Sequence, residues 1–211
     1  MHKLIPNLQK LRELGAIETY PENPDLEYVV SLAEDLEITI DQLIYEEVVA
    51  DDLPERISHI KMLVMDCDGV LTDGGMYFTK NGDEIKRFNA KDGLGIKTLM
   101  KAGFQTGIIS AGISTGLVEK RAEMLGVPHV YVGQDPKIEV LEGWLKKLGL
   151  SIEEIAYIGD DLTDLPVLEK AGLAACPSDA ALAVREQCDI VLETPGGAGC
   201  IRELVDLYIL S

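Results

Sequence analysis

Basic residues are scarce in this 211-residue chain: 19 Lys and Arg stand against 37 Asp and Glu, a formal net charge of −18. That balance argues against non-specific binding to nucleic acid or to anionic membranes, since both rest on clustered Lys and Arg. Cysteine is sparse as well. Cys67, Cys176, Cys188 and Cys200 form no Cys-x-x-Cys pair and no metal-ligand spacing with the three histidines, so reduced thiols are expected rather than disulfides or zinc. No apolar run is long enough to span a bilayer, and the start Met1-His2-Lys3-Leu4-Ile5-Pro6-Asn7 lacks the apolar core of a secretory signal. The expectation is a globular cytoplasmic protein with no nucleic-acid or membrane partner. Its 46% hydrophobic content suffices for one good core with a small second unit beside it.

The charge is unevenly spread. Residues 1–57 carry 14 acidic and 4 basic side chains, a net of −10, which marks an acidic extension separate from a main domain over residues 58–211. In the extension, Asn23 is a suitable N-cap and Pro24 a suitable first helical residue, and Leu26, Val29, Val30 and Ala33 follow the spacing of an amphipathic helix. Thr39 with Gln42 then forms a capping-box pattern ahead of a second short helix. The stretch from Pro24 to Ile44 resembles the closing two helices of Cro-type helix-turn-helix domains. It covers only their last part, and so acidic a piece is ill suited to phosphate backbones. A helical appendage that packs on the main domain or on a partner is the expected role.

What is abundant after residue 58 is alternation. Short β-rich runs (Met62 to Met65, Gln105 to Ile109, His129 to Val132, Glu154 to Ile158, Leu173 to Ala175, Ile190 to Leu192) are separated by helical patterns (Leu94 to Lys101, Ser114 to Leu125, Lys137 to Leu148, Thr163 to Ala171). This order predicts an α/β fold, a Rossmann-like and mostly parallel sheet with helices on both faces. After the first strand, Gly75 to Phe78 and Glu84 to Phe88 flank the turn signal Asn81-Gly82 and read as a β-hairpin insertion.

The segment Asp66-Cys67-Asp68-Gly69-Val70-Leu71-Thr72-Asp73-Gly74 follows the first strand directly. Two carboxylates spaced by two lie on one side of an extended chain, at the strand end where open α/β sheets bind ligands. Phosphoryl transfer through an aspartyl phosphate needs one carboxylate as nucleophile and a second group to protonate the leaving oxygen; Asp66 and Asp68 can supply both. Carboxylates beside an anionic phosphate call for a hard divalent cation, and Mg2+ suits oxygen ligands. The bland alternative is a tight turn, with Asp capping backbone donors and Gly supplying positive φ. Cys67, pointing the other way along the strand, reads as packing.

Three further segments end strands or open helices. Ile108-Ile109-Ser110-Ala111-Gly112 can offer a hydroxyl and a backbone N–H to a phosphate oxygen. In Gly133-Gln134-Asp135-Pro136-Lys137 the lysine opens a helix, where a cation gains nothing from the helix dipole; it is either a functional cation or an ordinary surface lysine. Ile158-Gly159-Asp160-Asp161-Leu162-Thr163-Asp164 places acids after another apolar strand, suited to completing a metal site or to a solvated helix cap, a role that would satisfy Asp164.

Together these four segments resemble the haloacid dehalogenase superfamily of phosphatases. The stretch from Asn81 to Ile96 and the tail Gly196-Gly197-Ala198-Gly199-Cys200-Ile201-Arg202-Glu203 are further similar to its 3-deoxy-D-manno-octulosonate 8-phosphate phosphatases, of lipopolysaccharide biosynthesis, and their nonulosonate 9-phosphate relatives, of sialic acid-like sugar biosynthesis. The resemblance covers about residues 58–211. It implies a domain without a large cap that assembles as a homotetramer through its hairpins, with neighbouring subunits closing each site. It implies Asp66 as nucleophile and Asp68 as acid/base. Mg2+ would be held by Asp66, the Asp68 carbonyl and Asp160, with Asp161 and Asp164 around it. Ser110, Ala111 and Lys137 would bind the phosphoryl group, with Lys86 and Lys91 as further substrate contacts. One position departs from the family: Gly112 stands where arginine or glutamate is usual, so an arginine contact to substrate is either missing or replaced from elsewhere, by Lys86, Arg87, Lys91 or Arg202 of a neighbouring subunit. Two readings compete with a sugar-acid phosphatase: a non-catalytic assembly module, and a DNA-binding sensor of a sugar phosphate.

Overall fold

The computed structural model describes residues 4–13, 16–21, 23–36, 38–45, 53–112 and 115–211, and the chain divides into two units between Asp52 and Leu53. The first unit contains helices α1 (Leu4–Glu13), α2 (Leu26–Asp35) and α3 (Ile40–Tyr45). Leu4, Leu8 and Leu11 share one face of α1 and are buried with Val29, Leu32, Ala33 and Leu43. The α1 helix lies outside the sequence expectation, which begins its helices at Asn23. Asn7 ties the unit together by donating from Nδ2 to the Leu43 carbonyl at 2.8 Å. The N-terminus of α2 also differs from expectation. Asp25 is the cap and accepts the Tyr28 N–H at 2.9 Å, so Pro24 precedes the helix instead of opening it. The Thr39–Gln42 capping box is formed, with the Thr39 N–H on Gln42 Oε1 at 2.8 Å and the Gln42 N–H on Thr39 Oγ1 at 3.1 Å.

The second unit opens with α4 (Leu53–Ser58), which the sequence reading assigned to the acidic extension. Leu53 and Ile57 pack against the core of the sheet, and Arg56 makes a two-pronged bond to Asp189 at 2.9 and 2.6 Å. The elements that follow are β1 (Met62–Met65), β2 (Tyr77–Phe78), β3 (Glu84–Ile85), α5 (Ala90–Lys101), β4 (Gln105–Ser110), α6 (Thr115–Leu125) and β5 (His129–Val132). The chain continues through α7 (Lys137–Leu148), β6 (Ile155–Ile158), α8 (Leu165–Leu168), β7 (Leu173–Cys176), α9 (Leu182–Arg185), β8 (Ile190–Val191) and α10 (Cys200–Leu204). Six strands form one sheet in the order β5-β4-β1-β6-β7-β8, and every neighbouring pair is parallel.

Strand alternation explains why both faces are covered. Leu63 and Met65 join the core shared with α5, α6 and α10, whereas Met62 and Val64 join the core shared with α7 and α8. A strand buried on both faces reads as an unbroken apolar run, and β1 is Met-Leu-Val-Met. The strand order reverses at β1, with β4 on one side and β6 on the other. Chains leaving neighbouring strands in opposite directions open a crevice at their C-terminal ends.

The hairpin is present but shorter than the sequence suggests, with β2 and β3 pairing over two residues each. Gly82 adopts φ +89° in its turn, a conformation few side chains tolerate. The expected helix from Thr163 to Ala171 is also reduced. A 3-10 turn at Leu162–Asp164 precedes the four-residue α8, because Asp161 and Asp164 form a capping box there and Pro166 fixes the first turn.

Candidate active site

The chain leaving β1 cannot stay extended. Gly69 takes φ +94°, and a Cβ there would lie 2.0 Å from Asp160 Oδ2. Glycine therefore allows the Asp66–Gly74 loop to lie directly against the acidic loop after β6. Asp66 is buried at the end of β1, and its backbone N–H continues the sheet ladder onto the Ile158 carbonyl at 3.0 Å. Lys137, the first residue of α7, is only 6% exposed. Its Nζ lies 2.8 Å from Asp66 Oδ1 and 2.6 Å from Asp164 Oδ1, which excludes the ordinary surface lysine.

Asp164 is fully buried and is not a solvated cap. It accepts the Tyr157 hydroxyl at 2.5 Å, the Lys137 ammonium, and the backbone N–H groups of Asp160 and Asp161 at 3.1 and 3.2 Å. The sequence reading missed Tyr157. Alternation along β6 puts Tyr157 in the same core as α7, and that was the available signal. Burial first, then the Asp164 charge, pushes the Tyr157 phenol far up, so it stays a donor.

Ligand atoms of Asp66, Asp160 and Asp164 lie within 4.8 Å of one another. Burial, then the charges of Asp164 for Asp66 and of Asp66 and Asp164 for Asp160, raises these two carboxyls to about 6 and about 8, against the opposing pull of Lys137. Lys137 is itself raised: burial acts against its charge, but Asp66 and Asp164 outweigh it. Asp160 Oδ1 is buried without a hydrogen-bond partner. Converging carboxylate oxygens, one of them orphaned, fit a hard divalent cation. The residues expected to hold it by side chain, Asp66 and Asp160, are therefore together, joined by Asp164. Asp161 is exposed and its carboxylate caps the Leu162 N–H at 2.7 Å.

The Asp68 side chain points away from this cluster. Its Oδ1 pairs with Lys86 Nζ at 2.5 Å, and Lys86 pairs again with Glu84 at 2.9 Å. Ser110, 1% exposed, ends β4, and its Oγ accepts the Gly112 N–H at 3.1 Å; a hydroxyl that accepts there still has a hydrogen to donate. The Ala111 carbonyl accepts from Gln134 Nε2 at 2.5 Å. Asp68, Lys86, Ser110, Ala111 and Gly112 line a cleft of about 1070 Å³ together with hairpin residues Met76 and Phe78. Lys91 is not brought to this cleft. It is exposed on the first turn of α5, and its Cδ lies 3.9 Å from where a Cβ on the tail glycine Gly199 would stand. Cys67 is fully buried, as expected of a packing residue, and burial pushes its thiol up.

Comparison with known proteins gives the family. A haloacid dehalogenase-like hydrolase model matches residues 94–172. The 3-deoxy-D-manno-octulosonate 8-phosphate phosphatase of Escherichia coli strain B is 40% identical over 163 residues, covering 77% of this chain and 86% of that protein. The chain belongs to this phosphatase family, within the haloacid dehalogenase-like hydrolases. Two solved structures extend the likeness. The octulosonate 8-phosphate phosphatase of Yersinia pestis matches with a TM-score of 0.73 at 39% identity, over 77% of this chain and 87% of that one. The Moraxella catarrhalis phosphatase, solved with magnesium, phosphate and the octulosonate, matches with a TM-score of 0.73 at 36% identity, over 76% and 92%. Among the described residues, no helix of this family member is long and apolar enough to cross a membrane.

Proposed function

We propose that the protein is a Mg2+-dependent phosphatase of a phosphorylated 2-keto-3-deoxy sugar acid, 3-deoxy-D-manno-octulosonate 8-phosphate or a nonulosonate 9-phosphate, acting in the cytoplasm. The observation that carries this reading is the buried cluster of Asp66, Asp160 and Asp164 around Lys137, at the strand ends beside β1. Its family membership and the unpaired state of all four cysteines agree with it. A scaffold would gain nothing from burying mutually repelling carboxylates.

In this reading Asp66 attacks phosphorus in line and forms an aspartyl phosphate as the bond to the sugar oxygen breaks. Asp68 gives its proton to the departing oxygen, then takes one from the water that hydrolyses the intermediate. Lys137 Nζ and Ser110 Oγ hold phosphoryl oxygens, and Lys137 keeps Asp66 aimed. Tyr157 and the two backbone N–H groups fix Asp164. Asp66, Asp160 and the Asp68 carbonyl, with Asp164 adjacent, would hold Mg2+, which supplies charge neutralisation for the transferring group. Positioning and charge neutralisation are the main sources of rate in such transfers.

The substrate carboxylate is less simply matched. Among the described residues lining the cleft, Lys86 is the one cation, and two carboxylates already engage it. Gly112 adds no side chain. We therefore propose a homotetramer in which hairpins meet and another copy completes the site; exposed Met76, Phe78 and Ile85 support it. Phosphate release, with and without Mg2+, from octulosonate 8-phosphate, nonulosonate 9-phosphates and common sugar phosphates tests the function. Strong preference for one keto-acid phosphate is expected, and weak, indiscriminate turnover would reject the sugar-acid assignment. Light scattering tests the assembly, and a fully active monomer would reject it.

A further inference from the structure

We propose that Lys86, carried by the hairpin, is a positioning residue that fixes which oxygen of Asp68 serves the leaving group; this rests on the phosphatase reading above. The two Asp68 oxygens have different surroundings. Oδ1 receives the Lys86 ammonium at 2.5 Å and lies 3.4 Å from the Thr72 hydroxyl. Oδ2 faces the space over Gly112, where a Cβ would stand 3.6 Å from it and 3.2 Å from Ser110 Oγ. The anchored oxygen is thus turned to the hairpin, and the other is turned to the part of the cleft that Ser110 lines.

Lys86 is built to be held. Its side chain is 8% exposed although it sits on an insertion whose apolar side chains are largely in solvent. Glu84, 2.9 Å from the same ammonium, fixes it from the other side and offsets its charge. The β2–β3 pairing places Glu84 opposite Phe78, so the position of the ammonium follows the hairpin. Charge-assisted bonds of this kind favour one orientation of a carboxylate. The consequence is local to one step. As the bond from Asp66 to phosphorus forms and the bond to the sugar oxygen breaks, its electron pair stays on that oxygen, which takes the proton from Asp68 Oδ2. A mis-aimed Asp68 leaves an alkoxide unprotonated, whereas a nitrophenolate departs without help.

The test compares kcat/KM of the Lys86→Met enzyme on three phosphates: the sugar-acid phosphate, a neutral sugar phosphate with a primary alcohol leaving group, and p-nitrophenyl phosphate. This ratio reports steps up to release of the leaving group, so hydrolysis of the intermediate drops out. We expect both alkyl phosphates to fall by about ten- to hundredfold, below the roughly 10²–10⁴-fold that complete loss of acid catalysis costs because Asp68 itself remains, and the aryl phosphate to fall by less than about threefold. Glu84→Gln should give the same ordering with a smaller loss, and it carries the test if Lys86→Met does not fold. A loss confined to the sugar-acid phosphate would overturn the proposal and make Lys86 a carboxylate contact. Equal losses on all three would overturn it as well, in favour of a purely structural role. Absence of Mg2+-dependent turnover of all three by the unaltered enzyme would remove the phosphatase reading itself, a separate result.

Discussion

Lys137, which is buried, and Lys86, which is partly buried, are each shared between two carboxylates, yet they stand in different kinds of structure. Around Lys137 the side chains of Asp66 and Asp164 are 9% and 0% exposed, and the participants come from the end of β1, the 3-10 turn after β6 and the start of a twelve-residue helix. Around Lys86 the side chains of Asp68 and Glu84 are 39% and 15% exposed, and the lysine follows a strand of two residues. Desolvation makes each inner charge costly unless it is paired, so the inner group is held as a unit. The outer group is anchored through a hairpin whose own apolar side chains face solvent, and it moves wherever that hairpin goes. The part of the site proposed to handle phosphorus is thus preorganised by the core, and the part proposed to handle the leaving group depends on an insertion.

The largest effect should come from the inner group. Asp66→Asn removes the proposed nucleophile and should lower Mg2+-dependent phosphate release by about 10⁴-fold or more, as loss of other covalent nucleophiles does; persistence of metal-dependent turnover in pure protein would reject the assignment. The contrast in burial predicts a contrast in stability. Asp164→Ala leaves the Lys137 ammonium and the Tyr157 hydroxyl without their shared acceptor and should cost about 3–5 kcal/mol. Glu84→Ala breaks a partly exposed pair and should cost about 1 kcal/mol or less. Urea unfolding of both variants decides it, and equal losses would mean that the two lysines are held alike.

The inner group was the more legible in sequence because strand ends fix it. Met62 to Met65, His129 to Val132 and the start of α7 at Lys137 stand where the apolar runs place them, and Asp66, Ser110, Lys137 and Asp160 follow. Asp164 was underrated, since an acid four residues after Asp160 also fits a solvated cap; only the third dimension shows Tyr157 and Lys137 converging on it. The outer group was harder. Lys86 and Lys91 looked equivalent in sequence, both basic and near the hairpin, but the chain turns between them, so one reaches Asp68 and the other lies exposed on α5. The start of α2 also differs, because Asn23 and Asp25 are both competent caps and the chain uses Asp25.

A smaller effect should follow from proton linkage in the inner group. The folded-state values of Asp66 and Asp160, about 6 and about 8, exceed the ordinary value of 3.8, so the native chain binds these protons more tightly than the unfolded one. Their contribution to stability is then present below about pH 4 and is lost as the pH rises through 6 and 8. Metal-free protein should melt progressively lower across that window. Mg2+ at about 100 times its dissociation constant should add about 2.7 kcal/mol, which corresponds to about 5–10 °C in a chain of this size. The gain should shrink at pH 5, where protons compete for the same oxygens. Thermal melts with and without a fixed concentration of Mg2+ at pH 5 and pH 8 check this, and a gain independent of pH would place the ion elsewhere.

The smallest effect concerns the acidic first unit. Asp66, Asp68, Ser110, Lys137 and Asp160 all lie in the unit that starts at Leu53, whereas the first unit buries its own core around Leu8, Val29 and Leu43. Units with separate cores keep separate stabilities, so a chain beginning at Leu53 should retain kcat within about threefold and melt within about 3 °C of the full chain. Its kcat/KM is the sharper reading, because a net of −10 over residues 1–57 repels an anionic substrate wherever it stands within a Debye length, about 8 Å at physiological salt. An unchanged kcat/KM at low salt places that charge away from the approach to the cleft. A rise that disappears on adding salt would place it at the mouth, and the contrast between a core-held inner site and an adjustable outer one would then include a third, electrostatic layer.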